Sequence, residues 1–402
     1  MDCAEGLDRH QCLLKAIMLR RRATDRQLPI VAQAVRMAGA ALACCYFAAT
    51  GAEPPSRSVL QWPFAATSIW NMPIGSGAVF VPARLDSIPG ADSRAPMPQA
   101  DVERIVLKPD APLASVYYSD AGWSKKSRCT STGGLLAQVP VPPDYVVRSS
   151  MENNAAVFLA RDGRTLLQMQ PYTRCAKGGP ATSLVHFPAV DIYGDGEHGS
   201  HGGSGLSALG GSLRIGELRP GMAAPRHALK VNVYARQSLH KCDKRTECYR
   251  WPATHADDYA VGHYGVAAIR PPEAMKMGAL LAIPPSRPLS TLQLETEPAR
   301  QIAWTLQNYG AYIVDDTYGP AFALNVEDGP DGAFLSQFTA DWGFRFEQRV
   351  RDNSPWVRDV QKILRSLHVV DNNSSAAVGG GGVPRQALAP PFQARPGQSK
   401  SE

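Results

Sequence analysis

Short apolar runs broken by Gly, Pro and Asp recur along the whole chain, and some of them, 228–235 most plainly, alternate apolar with polar residues. A period of two puts successive side chains on opposite faces and predicts half-buried strands. On this pattern, strands are expected at 78–81, 104–107, 155–160, 164–169, 212–217, 228–235, 279–283, 312–315 and 321–326. Asp162-Gly163 separates two of these runs and predicts a tight hairpin, because Gly accepts the positive φ that such turns require. Two segments carry the helical period instead. From Thr296 to Tyr309 the apolar positions are Ala299, Ile302, Ala303, Leu306 and Tyr309, with Gly310 as the stop. Ser354-Pro355 supplies a cap and a first-turn proline, and Val357, Val360, Ile363, Leu364 and Leu367 then share one face. Both stripes read as surfaces packed on a sheet rather than cofactor boxes.

Residues 1–52 break the pattern. Arg20, Arg21, Arg22, Arg26 and Arg36 precede an apolar run from Met37 to Ala49, and Thr50, Gly51 and Ala52 follow. A basic start, a short apolar middle and a small-residue exit make an export signal. The run falls short of the roughly 20 apolar residues of a bilayer-spanning helix. No transmembrane span is expected in the mature chain, which would be secreted or periplasmic. The basic segment is long for a signal, so Met18 and Met37 are alternative starts. From Ser374 the chain becomes Gly-rich through Gly379–Gly382 and then Pro-rich, a composition that predicts a disordered tail. The expected organisation is a leader at 1–52, a single β-rich domain with two packed helices at 53–373, and a Gly/Pro-rich tail at 374–402.

Composition narrows the function. Thirty-five glycines and 33 prolines among 402 residues suit a fold of many turns. Residues 1–52 hold seven basic and four acidic side chains, so only +3 of the net charge of +6 stays with the rest. That is too little for a nucleic-acid-binding surface. Neither a P-loop nor a dinucleotide fingerprint is present, and no cofactor is expected. Beyond the leader the cysteines are Cys129, Cys175, Cys242 and Cys248, which allow three pairings. Cys242 and Cys248 flank the wholly polar stretch 243–247, which reads as a stapled loop and leaves Cys129 to pair with Cys175. CxxC spacing is absent, which disfavours zinc.

The densest polar segment is 191–205. Asp191, Asp195, Glu197, His198 and His201 fall within eleven residues among glycines and serines, including Ser204, that let backbone approach a ligand. It matches no known metal-ligand pattern, and no metal is expected. Gly202-Gly203-Ser204-Gly205-Leu206 is not a nucleophile elbow, since Leu206 stands where glycine belongs. Arg214, Glu217 and His227 follow on or beside strands, His227 sharing parity with Leu229, Val231 and Val233. Trp251, Tyr259, Tyr264, Tyr309 and Tyr312 are candidates to stack on sugar rings, or else core aromatics. Of the neighbours Asp315 and Asp316, strand geometry lets only one enter a given site.

The ordered set His201–Ser207, Gly210-Gly211, Arg214–Leu218, Arg226–Leu229, Tyr249–Ala253, Asn308–Gly310 and Asp315-Asp316, opened by Trp70–Ile74, resembles a family of uncharacterised secreted bacterial proteins. The resemblance spans most of the mature chain and implies export and a shared fold, not a reaction. A jelly-roll-like β sandwich, mainly β with two inserted or packed helices, is the expectation for that fold. The functional expectation is a carbohydrate-active enzyme. As a hydrolase it would use Glu217 and Asp315 as acid and base. As a uronate lyase it would use His227 or Tyr312 as base and Arg214 to neutralise the carboxylate. His201, Ser204, Trp251, Tyr309 and Tyr312 would contact the polysaccharide. The rival is a non-catalytic glycan-binding surface protein. The leader reading has its own check: N-terminal sequencing of exported protein should begin near Glu53, and retention of Arg20 to Arg36 would refute it.

Overall fold

The computed structural model describes residues 56–85, 97–266, 271–347 and 353–393; the leader lies outside them. The ten principal strands are β1 (Phe80–Pro82), β2 (Met97–Val106), β3 (Ala156–Leu159), β4 (Thr165–Gln170), β5 (Val185–His186), β6 (Leu229–Val233), β7 (Leu280–Ala282), β8 (Ala311–Asp316), β9 (Ala321–Gly329) and β10 (His368–Val370). They form one mixed sheet in the order β1-β10-β7-β8-β6-β9-β2-β3-β4-β5, with two short strands attached at its sides. The pairs β6/β8, β9/β2 and β2/β3 are parallel. Parallel neighbours need long crossovers. The crossover from β2 to β3 carries two strands of a second, three-stranded sheet, in which Leu113–Tyr118 lies between Leu135–Pro140 and Ala181–Ser183, the last contributed by the chain after β4.

The mainly β character therefore holds, but the jelly-roll order is not found. A jelly roll is two facing antiparallel sheets, whereas here parallel pairs occupy the middle of a single large sheet. The hairpin at Asp162-Gly163 is present, with Gly163 at φ 64° and the Asp162 carboxylate accepting from the Arg164 and Thr165 amides at 2.8 Å. Residues 212–217 are not a strand. They touch β9 at the single bridge Leu213–Val326 and then turn away at Gly216, φ 99°.

Helices cover one face of the sheet. They are α1 (Ala235–Ser238), α2 (Glu297–Asn308), α3 (Phe334–Trp342) and α4 (Pro355–Leu364). The two predicted helices are α2 and α4, and the aromatic α3 is additional. Ile302 and Leu306 of α2, Phe334 and Phe338 of α3, and Val360 and Ile363 of α4 meet Leu229, Val231, Val233, Ile313, Phe322 and Leu324 in one core. The Ser354 hydroxyl caps α4 by accepting from the Val357 amide. Asp359 of α4 holds the segment leading into α2, accepting from the Glu295 and Thr296 amides at 2.7–3.0 Å. Among the described residues no helix is long and apolar enough to cross a membrane.

The opposite face is covered by irregular chain. Trp70 packs edge-on to Tyr312 at 5.6 Å and donates from its indole nitrogen to the Gly196 carbonyl at 2.7 Å. The Gly-rich run expected in a disordered tail is packed here. A Cβ on Gly75 would sit 1.9 Å from the Gly381 carbonyl oxygen, so the two glycine backbones interlock. Further on, the Arg57 guanidinium donates to the Pro390 carbonyl at 2.6 Å and lies 3.8 Å from the Phe392 ring centroid.

Both expected disulfides are present, Cys129–Cys175 with 46 residues of separation and Cys242–Cys248 with 6. On the chain-entropy model they restrict the unfolded chain by about 4 and about 2 kcal/mol. Replacing Cys129 and Cys175 by alanine should lower unfolding free energy by roughly twice as much as replacing Cys242 and Cys248. Denaturant titration of the two variants checks this, and a larger loss from the short loop would refute it.

Candidate functional site

On the irregular side of the sheet, alternation in β2, β6, β8 and β9 turns a polar row inward. Asp315 pairs with Asn232 across β8/β6, and Asn325 pairs with Asp101 across β9/β2. Amides link them: Asn325 Nδ2 donates to Asn232 Oδ1 at 3.0 Å, and Asn232 Nδ2 donates to Asp101 Oδ2 at 2.7 Å. Asn153 Nδ2 donates to both Asp101 Oδ2 at 2.9 Å and Asp315 Oδ2 at 3.1 Å. The segment 198–212 lies over this row and seals half of it from water. Its glycines permit the approach, since a Cβ on Gly203 would fall 2.5 Å from the Asp315 carboxylate.

Beneath that segment lies a buried charge chain. Lys230 Nζ, with its side chain wholly unexposed, donates to Glu103 at 2.9 Å and to the Ser207 and Ala208 carbonyls at 2.8 and 2.9 Å. His201 lies between carboxylates, with Nε2 3.1 Å from Glu103 and Nδ1 3.3 Å from Asp315. Neither nitrogen is aligned as a hydrogen-bond donor, so these contacts are ionic. Burial works against a charged imidazole, but Glu103 and Asp315 outweigh it and raise His201 to about 10. Burial alone would raise Glu103, and Lys230 with His201 more than reverses this.

Next to this chain the structure opens to solvent. Asp257 is half-buried, and its carboxylate accepts from the Tyr264 hydroxyl at 2.5 Å. Burial first, and the charge of Asp315 second, push its pKa up to about 8. Asp316 is raised too, by burial, although its Oδ1 accepts from the Ala235 and Tyr318 amides at 2.9 Å. His263 Nε2 sits 3.1 Å from Asp316 Oδ2. Tyr259, Tyr318 and Trp123 are exposed around this opening.

Asp101, His201 and Asp315 each offer one possible metal-ligand atom within 4.8 Å of the others. Those carboxylate oxygens are already met by Asn153 and Asn232, and His201 is held protonated.

The residues singled out from sequence fall into separate groups. Asp315, His201 and Ser204 belong to this site, Ser204 lying beneath it with its carbonyl accepting from the Thr254 amide at 2.9 Å. Arg214, Glu217 and His227 meet elsewhere. Arg214 is paired with Glu327 at 2.8 Å, while Glu217 accepts from the Arg214 amide at 2.7 Å and pairs with His227 at 2.9 Å. With its acid and base groups matched one to one, that group reads as a strut between 214–227 and β9. The cavity beside it, bounded by Trp62, Trp70 and His227, is about 20 Å³, room for one water. Tyr309 and Tyr312 are core residues, each 1% exposed, because they face the Trp70 side of the sheet and offer no ring to a ligand. Trp251 is half-buried against the same core.

An open hollow of about 550 Å³ lies apart from all of these, beside Tyr249, Arg250 and Lys276. Its cations are spoken for by Asp371 and Glu273. Sequence reasoning missed Asp101, Glu103, Asn153, Lys230, Asn232 and His263. Lys230 and Asn232 do interrupt the β6 run, but that alternation is indistinguishable from an ordinary solvent face.

No protein-family model matches the chain, and neither a curated protein nor a solved structure does.

Removing one partner of a buried ion pair leaves an uncompensated charge and costs about 3–5 kcal/mol. Lys230→Met should destabilise on that scale, with Lys230→Met/Glu103→Gln recovering part of the loss. Denaturant unfolding of both variants tests the charge chain, and an additive double variant would show that the pair is not coupled.

Proposed function

We propose that the protein is an exported hydrolase of glycosidic bonds, with Asp257 as proton donor and Asp315 as its carboxylate partner. One observation carries this reading: a half-buried carboxyl group held protonated at neutral pH stands within the field of a second carboxylate, at an opening rimmed by exposed aromatics. Splitting two carboxyl groups into proton donor and anion is the requirement of glycoside hydrolysis. Asp315 is positioned for the second role by Asn153 Nδ2, by His201 and by the Asp316 amide, which donates to its Oδ1 at 2.9 Å. Export fits two disulfides, which persist in oxidising compartments.

The lyase alternative needs a free cation to neutralise a uronate carboxylate. Arg214 is engaged by Glu327, and Lys230 and His201 are buried against Glu103. A purely binding protein has no use for a carboxyl group kept protonated at a cost in stability.

That cost gives the test its sign. Asp257 titrates near 8 when folded and near 3.9 when unfolded, so between those values the folded state binds more protons. Its contribution to stability therefore falls as pH rises from about 4 to about 8. Asp257→Asn should raise the melting temperature at pH 9 while lowering hydrolysis by about a hundredfold or more, the scale of losing a general acid. Wild-type activity should fall as pH rises through about 8. Reducing ends released from soluble neutral polysaccharides are the readout. An Asp257→Asn variant of undiminished activity would overturn the assignment, and a wild type that binds polymer but releases nothing would make it a binding protein.

A further inference from the structure

We infer that the exposed aromatics flanking the acid pair form two subsites for uncharged pyranose rings, so that a glycan chain passes across Asp257 and Asp315 rather than ending at them. The inference rests on the hydrolase reading for its location, and on separate observations for its content.

On one side is Trp123, 41% exposed. Its indole nitrogen donates to Asn153 Oδ1 at 3.1 Å, and the same amide donates onward to Asp101 and Asp315. The Arg128 guanidinium lies 6.0 Å from its ring centroid, itself buried and anchored to the Gly122 and Glu152 carbonyls. The Trp123 ring is thus fixed at its edge and backed by a cation.

On the other side is Tyr318, 73% exposed. Its ring stacks on His263 at 5.5 Å with an interplanar angle of 9°, and Tyr259 meets both rings edge-on at 5.1 and 5.8 Å. Tyr318 holds φ 54°, a left-handed conformation that bulky residues rarely adopt, secured by the hydrogen bond that its backbone N–H donates to Asp316 Oδ1. Backbone strain spent on presenting an aromatic ring to water is a feature of ligand clamps. Asp316, bonded to His263, is the sequence neighbour of Asp315, so both aromatic groups connect to the acid pair through one side chain each.

Charge selects among glycans. The acidic groups at the opening are Asp101, Asp315 and Asp316 beside the protonated Asp257, while Lys230 and His201 are buried and Arg245 is paired with Asp258. A uronate or sulfated chain would be repelled, whereas a neutral sugar presents an apolar ring face suited to Trp and Tyr.

The test is affinity electrophoresis of the full chain in native gels containing β-glucan, glucomannan, xylan, alginate or pectate. Retardation is expected with at least one neutral polymer and with neither anionic one. Trp123→Ala and Tyr318→Ala should each weaken it by about three- to tenfold, with Trp123→Phe and Tyr318→Phe close to wild type. Retardation by alginate or pectate, by none of the neutral polymers, or equally in the alanine variants overturns the inference. Undiminished hydrolysis and KM in both alanine variants would sink the subsites and leave the hydrolase standing. Binding through both rings without product would do the reverse.

Discussion

The ammonium group of Lys230 is wholly shielded from water in the middle of the sheet, and the polar face is arranged around keeping it charged. Burial lowers its pKa, so it needs close acceptors, and it has three in Glu103 and the Ser207 and Ala208 carbonyls. Two of those come from the covering segment, which is therefore tied to the sheet by a charge rather than by apolar packing alone. The segment's glycines follow from the same constraint. A Cβ on Gly210 or Gly211 would collide with Trp70, and one on Gly211 with the Lys230 stem as well. Glu103 in turn lies against His201, and His201 reaches Asp315. One buried cation thus fixes the cover, and the cover fixes the imidazolium beside Asp315.

The consequence is a graded set of carboxylates. Glu103, against two cations, is pulled down. Asp101 is raised by burial despite His201, yet its oxygen already accepts from Asn153 and Asn232. Asp257 lies farthest along the gradient, with the Tyr264 hydroxyl as its hydrogen-bond donor and Asp315 as the largest charge acting on it. The group least compensated is also partly exposed, beside the Tyr264 hydroxyl.

Secondary structure was legible where a single period decided it. The stripe Ala299, Ile302, Ala303, Leu306 is α2, and the cap Ser354-Pro355 starts α4. The polar segment 191–205 reaches the buried polar layer through His201, yet its partners there were not legible. Asp101 and Glu103 in β2, Lys230 and Asn232 in β6, and Asn325 and Glu327 in β9 alternate as a water-facing row would. Only the covering segment makes them a buried layer, and covering is a long-range property with no local signature. Glu217 and His227 misled for the complementary reason. Proximity in sequence to the glycine-rich segment suggested a shared site, but the chain turns at Gly216 and carries them to Arg214 and Glu327 instead.

Strand alternation allows only one of Asp315 and Asp316 to enter a given site, and the structure shows how the rule is relaxed. The register between β6 and β8 slips between Val231 and Asn232, so that Asn232 lies opposite Asp315 where regular pairing would place Val314. Such a slip inserts one residue and re-aims those beyond it. Tyr312 and Val314 face the Trp70 core, and Asp315 then joins that same side instead of the helical one. Asp316, at the strand end, holds the Ala235 and Tyr318 amides and pairs with His263. Both charges act on Asp257. Bulges concentrate beside active sites because they deliver two adjacent side chains to one place, which a regular strand cannot do. The irregularity at 231/232 is therefore the local feature that brings the charges of Asp315 and Asp316 to bear on Asp257 together.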